Sequence, residues 1–237
     1  MTQRNSVVAL VSGGLDSYGL VHQLLQDGRV VHPLYVRCGL LWEPAEAYWL
    51  SRWLSRIRRP GLRPLSVLEV PIRSLYGRHW SLTGRGVPSA SSPDRAVYLP
   101  GRNVLLFGHA AVFAAQRRVS TLATGILAGN PFGDATPRFL TRFAASLRDA
   151  LGQPIRIVAP LRRLTKARVI RRTPPALFGL TFSCIHPRGR RHCGECNKCA
   201  ERRAAFHRAK LADPTVYYPG SDLGSDLGSD PKLRLQA

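Results

Sequence analysis

The sequence has little negative charge and little lysine. Its 237 residues hold 14 Asp plus Glu against 35 Lys plus Arg, a formal charge of +21, and only four of the basic residues are Lys (166, 198, 210 and 232). Such an excess suggests an anionic partner such as nucleic acid or a nucleotide. The arginines are spread from Arg4 to Arg234, however, with denser spots only at Arg56-Ile57-Arg58-Arg59, Arg162-Arg163, Arg171-Arg172 and Arg188 to Arg191. An RNA-binding face would cluster them, so the excess reads as compositional bias and nucleic acid is not the favoured partner. Long apolar runs are also missing. None approaches the roughly 18 to 20 residues of a spanning helix, and no membrane role is expected. The run Val7 to Val11 stops at Ser12-Gly13-Gly14 with no charged leader before it, so a cytoplasmic protein is the expectation. A hydrophobic share of 44% and an aromatic share of 8% exclude disorder throughout, and the length suits one large α/β domain.

Val7 to Val11 is a continuous apolar run, as a strand buried on both faces of a parallel sheet requires. Leu20, Val21, Leu24 and Leu25 then recur at helical spacing until Asp27-Gly28. Further strands are expected at 30–36, 64–72, 120–124 (ending at Gly125) and 155–159, and helices at 43–58, 103–116, 137–151, 165–172 and 196–209. Strands alternate with helices over about 180 residues, which predicts a doubly wound parallel sheet, Rossmann-like in class. From Ser74 to Pro100 the periodicity fails, and a loop this long inside a compact domain is usually functional or mobile. The chain is expected to divide into a nucleotide-type domain at 1–180, a cysteine-bearing segment at 181–212 and a disordered tail at 213–237. The tail carries Gly-Ser-Asp-Leu at 220–223 and again at 224–227.

Between the first strand and helix stands Ser12-Gly13-Gly14-Leu15-Asp16-Ser17. Gly13 and Gly14 permit a tight turn and close backbone approach, and the N–H groups opening the helix point at an anion. Ser12 and Ser17 offer hydroxyl donors to phosphate oxygens. Asp16 would repel phosphate directly, so a bridging Mg²⁺ is the sensible reading. The Gly-Lys-Ser/Thr ending of the classical P-loop and the GxGxxG pattern are both absent.

Cysteine is scarce and unevenly placed. Cys38 stands alone, while Cys184, Cys193, Cys196 and Cys199 crowd into 16 positions. Without a secretion signal this grouping reads as metal ligation rather than a disulfide framework. Four thiolates at this spacing suit one tetrahedral structural Zn²⁺. His186 or His192 could replace one cysteine, and an iron–sulfur cluster is compatible with the same thiolates. Cys38 is read as a plain core thiol.

The hexapeptide at 12–17 resembles the phosphate loop of the N-type ATP pyrophosphatases, or PP-loop superfamily. Pro160-Leu161-Arg162-Arg163-Leu164-Thr165-Lys166 resembles that superfamily's segment opening a helix whose Lys reaches the ATP phosphates. The closing stretch, Thr181 to Cys184 and Cys193-Gly194-Glu195-Cys196-Asn197-Lys198-Cys199 followed by Arg202, Arg203, Ala205 and Phe206, looks like that of the QueC family of 7-cyano-7-deazaguanine synthases. Leu99-Pro100-Gly101-Arg102-Asn103 is similar to a central motif of the same family, and the likeness spans roughly 6–210.

The resemblance implies ATP, Mg²⁺ and Zn²⁺ as cofactors and an adenine nucleotide alpha hydrolase-like fold. It implies Asp16 and Lys166 as catalytic groups, and Ser12, Gly13, Gly14, Ser17 and Gly125 beside them at the phosphates. Arg102, Asn103 and Asp134 would then bind substrate. The substrate would be a 7-deazaguanine carboxylate with ammonia or another amine, in a homodimeric ligase of queuosine biosynthesis. One segment departs from the family: its usual Tyr-Pro-Asp-Cys-Arg-Pro-Glu-Phe is Phe132-Gly133-Asp134-Ala135-Thr136-Pro137-Arg138-Phe139 here. A specialised branch is therefore credible, including one in anti-phage defence that transfers the acyl group to an amine on a protein. A tRNA-modifying PP-loop enzyme and a non-enzymatic zinc-ribbon RNA-binding protein are the other classes considered.

Overall fold

The computed structural model describes residues 5–219, with no helix among them long and apolar enough to cross a membrane. Five strands form one parallel sheet in the order β3-β2-β1-β4-β5. They are β1 (Ser6–Leu10), β2 (Val30–Arg37), β3 (Ser66–Glu69), β4 (Thr121–Ala123) and β5 (Arg156–Val158). β1 is central because its side chains suit burial on both faces: Val7, Val8 and Ala9 have at most 1% of their surface exposed. Ser6 pairs with Val30 on one side and Val8 with Leu122 on the other.

Helices cover both faces. On one, α1 (Leu15–Gln26), α2 (Glu43–Arg56), α7 (Lys166–Arg172) and α8 (Asn197–Ala209) share a core built on Leu20, Leu50, Trp53, Ile170 and Phe206. On the other, α5 (Arg102–Gln116) and α6 (Pro137–Leu151) cover a core around Leu34, Ala110, Ala114 and Leu122. The four clustered cysteines belong to this second core. The chain winds outward from β1 to β3, then crosses back to β4 beside β1. The carboxyl ends of β1 and β4 therefore form the switch point where ligands settle in open α/β sheets.

The stretch from 74 to 100 is built rather than irregular. It holds the short helices α3 (Arg73–Tyr76) and α4 (Trp80–Thr83) and a 3₁₀ turn at Asp94–Val97. Helices of four residues carry no readable periodicity, so the sequence shows only their punctuation. Trp80 stacks on Trp42, with ring centres 5.8 Å apart, and Ala90 N–H donates to the Glu195 carbonyl. The stretch thus ties the start of α2 to the cysteine segment.

Residues 213–219, read from sequence as the start of a disordered tail, pack back onto α8. Arg202 is 1% exposed and donates to Asp213, Thr215, Thr181 and the Phe178 carbonyl. Tyr217 Oη donates to Asp213, and Tyr218 N–H to the His192 carbonyl. The repeat at 220–230 lies outside the described residues.

Candidate active site

The phosphate-type loop sits where β1 ends. α1 begins after Gly14 with no side-chain cap, so the N–H groups of its first turn face the cleft without the protein acceptor a capping Ser or Asp would give. Ser17 Oγ instead accepts from Ser12 N–H at 2.9 Å, and Ser12 Oγ from Gly14 N–H at 3.2 Å, which closes the loop on itself. Gly13 does not line the cleft. A Cβ there would lie 2.9 Å from the Glu46 carbonyl oxygen and 3.2 Å from Phe182 Cβ, so its small size serves the packing of α2 and the 181–185 strand-like segment beneath the loop. Gly125 brings the turn after β4 against Asp16, where a Cβ would meet the Asp16 carbonyl at 3.3 Å.

Beside this loop, four side chains of alternating charge are joined by ion pairs. Lys166 opens α7, capped by Thr165, and its Nζ lies 3.3 Å from Asp16 Oδ2 and 2.7 Å from Glu201 Oε1. Lys198 Nζ is 2.7 Å from the other oxygen of Glu201. Burial alone would lower Lys166, but Asp16 and Glu201 outweigh it and hold the ammonium firmly charged. Burial alone would raise Glu201, but Lys166 and Lys198 bring it to about 2. Asp16 is the poorly compensated member: burial raises its pKa despite Lys166, and its Oδ1 is buried with no hydrogen-bond partner. A carboxylate oxygen left unmatched beside an uncapped helix N-terminus fits Mg²⁺, which takes one or two carboxylates together with phosphate oxygens.

The same cleft, about 680 Å³, extends to the start of α5. Arg102 reaches into it with its Nε buried and without a hydrogen-bond partner. Asn103 and Asp134 come together, but chiefly on each other: Asn103 N–H donates to Asp134 Oδ2 and its Nδ2 to the Asp134 carbonyl, both at 3.1 Å. Asp134 therefore caps α5 across the chain, with part of its carboxylate already engaged. Tyr98, from the end of the 74–100 stretch, stacks on Phe132 with centres 4.9 Å apart and lines the cleft with it.

Three groups escape the sequence reading. Lys198 and Glu201 look like an ordinary exposed pair three residues apart on a helix, although the scarcity of lysine singles out Lys198 as it does Lys166. Glu46 gives no signal at all, yet it is 8% exposed, lines the cleft and accepts from Tyr35 Oη at 2.8 Å. Burial raises it to about 6, against the pull of Arg102 and the Tyr35 hydrogen bond. The folded protein thus holds this proton more tightly than the unfolded chain, and stability is lost as pH rises through about 6. Glu46→Gln is expected to stabilise the free protein at pH 8 by about 2 kcal/mol, with the difference vanishing toward pH 4.5. Thermal unfolding at the two pH values checks this, and a lower midpoint for Glu46→Gln at pH 8 would contradict it.

At the start of α8, all four Sγ atoms of Cys184, Cys193, Cys196 and Cys199 are buried within 4.8 Å of one another. Three of the separations are 3.5, 3.9 and 4.0 Å, against about 3.8 Å for a tetrahedron of Zn–S bonds. Gly194 takes φ +82° in the turn between Cys193 and Cys196, and Glu195 N–H donates to Cys193 Sγ. The donor set fits one Zn²⁺, and sulfurs this close leave no room for a larger cluster. Neither histidine joins it: His192 Nε2 accepts from Ser183 N–H, and His186 contributes only its backbone N–H to Cys184 Sγ. Cys38 is buried elsewhere, and desolvation pushes its thiol up to about 11.

A family model described as "Queuosine biosynthesis protein QueC" matches residues 6–210. The chain belongs to the QueC family. Among its relatives, a 7-cyano-7-deazaguanine synthase of Anaeromyxobacter sp. (strain Fw109-5) is 33% identical, over 89% of this chain and 95% of that one. The QueC relative of Rhizobium meliloti (strain 1021), of the same name, is 31% identical over 89% and 91%. The fold extends beyond the QueC family. A 4-thiouridine synthetase, solved as an RNA complex with bound ATP, superposes with TM-score 0.50 at 16% identity, over 87% of this chain and 51% of that one. This chain thus spans about half of that protein, and the likeness is one of fold.

Proposed function

We propose that the protein uses ATP to activate the carboxylate of a 7-deazaguanine, releases pyrophosphate, and passes the acyl group to ammonia on the way to the nitrile. The observation that carries this is one cleft with two unmatched ends: an uncapped α1 N-terminus beside the orphaned Asp16 Oδ1, and Arg102 with its unpartnered Nε. The first suits phosphates and Mg²⁺, the second a substrate carboxylate. The names of the relatives supply the base.

In this reading a substrate carboxylate oxygen attacks the α-phosphorus and pyrophosphate leaves. Ammonia then adds to the acyl carbon and AMP departs with the carboxylate oxygen. The amide oxygen attacks the α-phosphorus of a second ATP with release of a second pyrophosphate, and loss of AMP and, over the two steps, both N–H protons leaves the nitrile. Bound Mg²⁺ would neutralise charge on the transferring phosphates, held by Asp16. The chain's own residues position and compensate charge: the α1 N–H groups, Ser12 and Lys166 at the phosphates, Gly125 against the loop, and Arg102 at the substrate anion. Asn103 and Asp134 fix the start of α5 and so the direction of Arg102, and the remaining Asp134 oxygen accepts from the N–H edge of the base. Tyr98 and Phe132 give the ring an apolar wall. The four-cysteine Zn²⁺ is structural, since every ligand position is filled by protein.

The test is incubation with ATP, Mg²⁺ and 7-carboxy-7-deazaguanine, with and without ammonia, and identification of products by mass. Amide and nitrile are expected with ammonia. A conjugate formed only with another amine would place the protein in a branch with a different acceptor, and no turnover of any deazaguanine carboxylate would overturn the substrate assignment.

A further inference from the structure

We infer that Lys198 is a second cation for the ATP triphosphate, held on Glu201 until the nucleotide enters. The inference rests on the reading of this cleft as the ATP site and adds a ligand to it. Glu201 is shared: one oxygen meets Lys166 and the other Lys198, each at 2.7 Å. With Asp16 Oδ2 on Lys166, the two ammonium groups make three carboxylate contacts, fewer than their six N–H donors can use. Lys198 keeps 27% of its side chain exposed and lines the cleft, whereas Lys210 is exposed outside it. Lys166 and Lys198 are thus the two cleft lysines among the described residues.

The placement of Lys198 is rigid. It stands in the first turn of α8 between Cys196 and Cys199, so a metal bound by the cysteines would pin the backbone on both sides of it. The Asn197 side chain, immediately before it, is tied to the Ser92 carbonyl at 2.8 Å. A lysine held in this way presents its ammonium to one region rather than sweeping a surface. Asp16, Lys166, Glu201 and Lys198 are joined in turn by ion pairs and all line the cleft beside the loop that would hold the phosphates. A polyphosphate bound in that cleft would take over from Glu201 as the acceptor for both ammonium groups. Lys166 then serves the transferring phosphate and Lys198 the departing pyrophosphate, with Glu201 as the positioning residue that keeps both extended in the free protein.

The experiment compares binding of Mg²⁺ with a non-hydrolysable ATP analogue, of pyrophosphate and of AMP by calorimetry, in the wild-type protein, Lys198→Met and Lys198→Arg. Loss of one charge-assisted contact should weaken the triphosphate and pyrophosphate about 10- to 100-fold and leave AMP within about twofold. Lys198→Arg should recover most of the affinity, and the salt dependence of triphosphate binding should flatten in Lys198→Met. Equal affinities in Lys198→Met and wild type, or equal weakening of AMP and ATP, would overturn the proposal. Metal content and thermal unfolding are measured alongside, with Lys198→Gln as a second neutral variant. Loss of metal and fold in both neutral variants would assign Lys198 to structure and equally overturn it. Wild-type protein that binds none of the three ligands would instead refute the reading of the cleft as an ATP site.

Discussion

Asp16→Ala and Lys166→Ala are each expected to lower pyrophosphate release by a factor on the order of 10² or more, with the fold retained. In the proposed function the two residues act on the same phosphates by different means. Asp16 offers a buried carboxylate oxygen with no partner in the protein, which is where a bridging cation belongs. Lys166 is kept charged by Asp16 and Glu201 despite its burial, so it would meet the phosphates as a fixed ammonium. Removing either takes away preorganised charge that water cannot restore inside the cleft. Asp16→Ala should also blunt the response of turnover to Mg²⁺, whereas Lys166→Ala should keep it. Pyrophosphate release at near wild-type rate in either variant, measured at saturating ATP, would show that the phosphate site lies elsewhere.

Cys196→Ser is expected to lose the metal and most of the folded protein together. A structural zinc centre contributes roughly 10 kcal/mol or more of binding free energy, which is as large as the whole stability of an ordinary domain. Here the loss would spread. Cys196 is the cap residue of α8, and that helix carries Lys198, Glu201 and the buried Arg202 that anchors Asp213 and Thr215. Metal analysis of wild-type protein should give one zinc per chain, and a value below about half an equivalent would contradict the centre. Chelation should unfold the protein, whereas breaking the anchor through Asp213→Asn should leave the metal in place.

The parts of this molecule legible in its sequence are those set by local chemistry. The run Val7 to Val11 reads as a buried parallel strand because both faces of β1 are covered. Ser12 to Ser17 and the four-cysteine spacing read as ligand sites because each residue type has few other uses in that order. Contacts between distant elements are where legibility ends. Nothing at position 46 announces that α2 will bury a carboxylate under Gly13, and nothing at 201 shows that α8 will pass beside α7. Asp134 reads as a substrate contact, but the fold also turns its carboxylate to the N–H of Asn103. The 74–100 stretch looks unstructured because its helices are too short to show a period, although Val97 to Leu99 end up in the cleft wall.

The most direct measurement follows an oxygen atom. With 7-carboxy-7-deazaguanine labelled by ¹⁸O in its carboxylate, in unlabelled water, activation at the α-phosphate makes each AMP carry one ¹⁸O from the substrate. That transfer, seen by mass spectrometry of the released AMP and abolished in Asp16→Ala, is the predicted result. AMP bearing only solvent oxygen, at full turnover, would mean that ATP is hydrolysed without activating the carboxylate and would contradict the account.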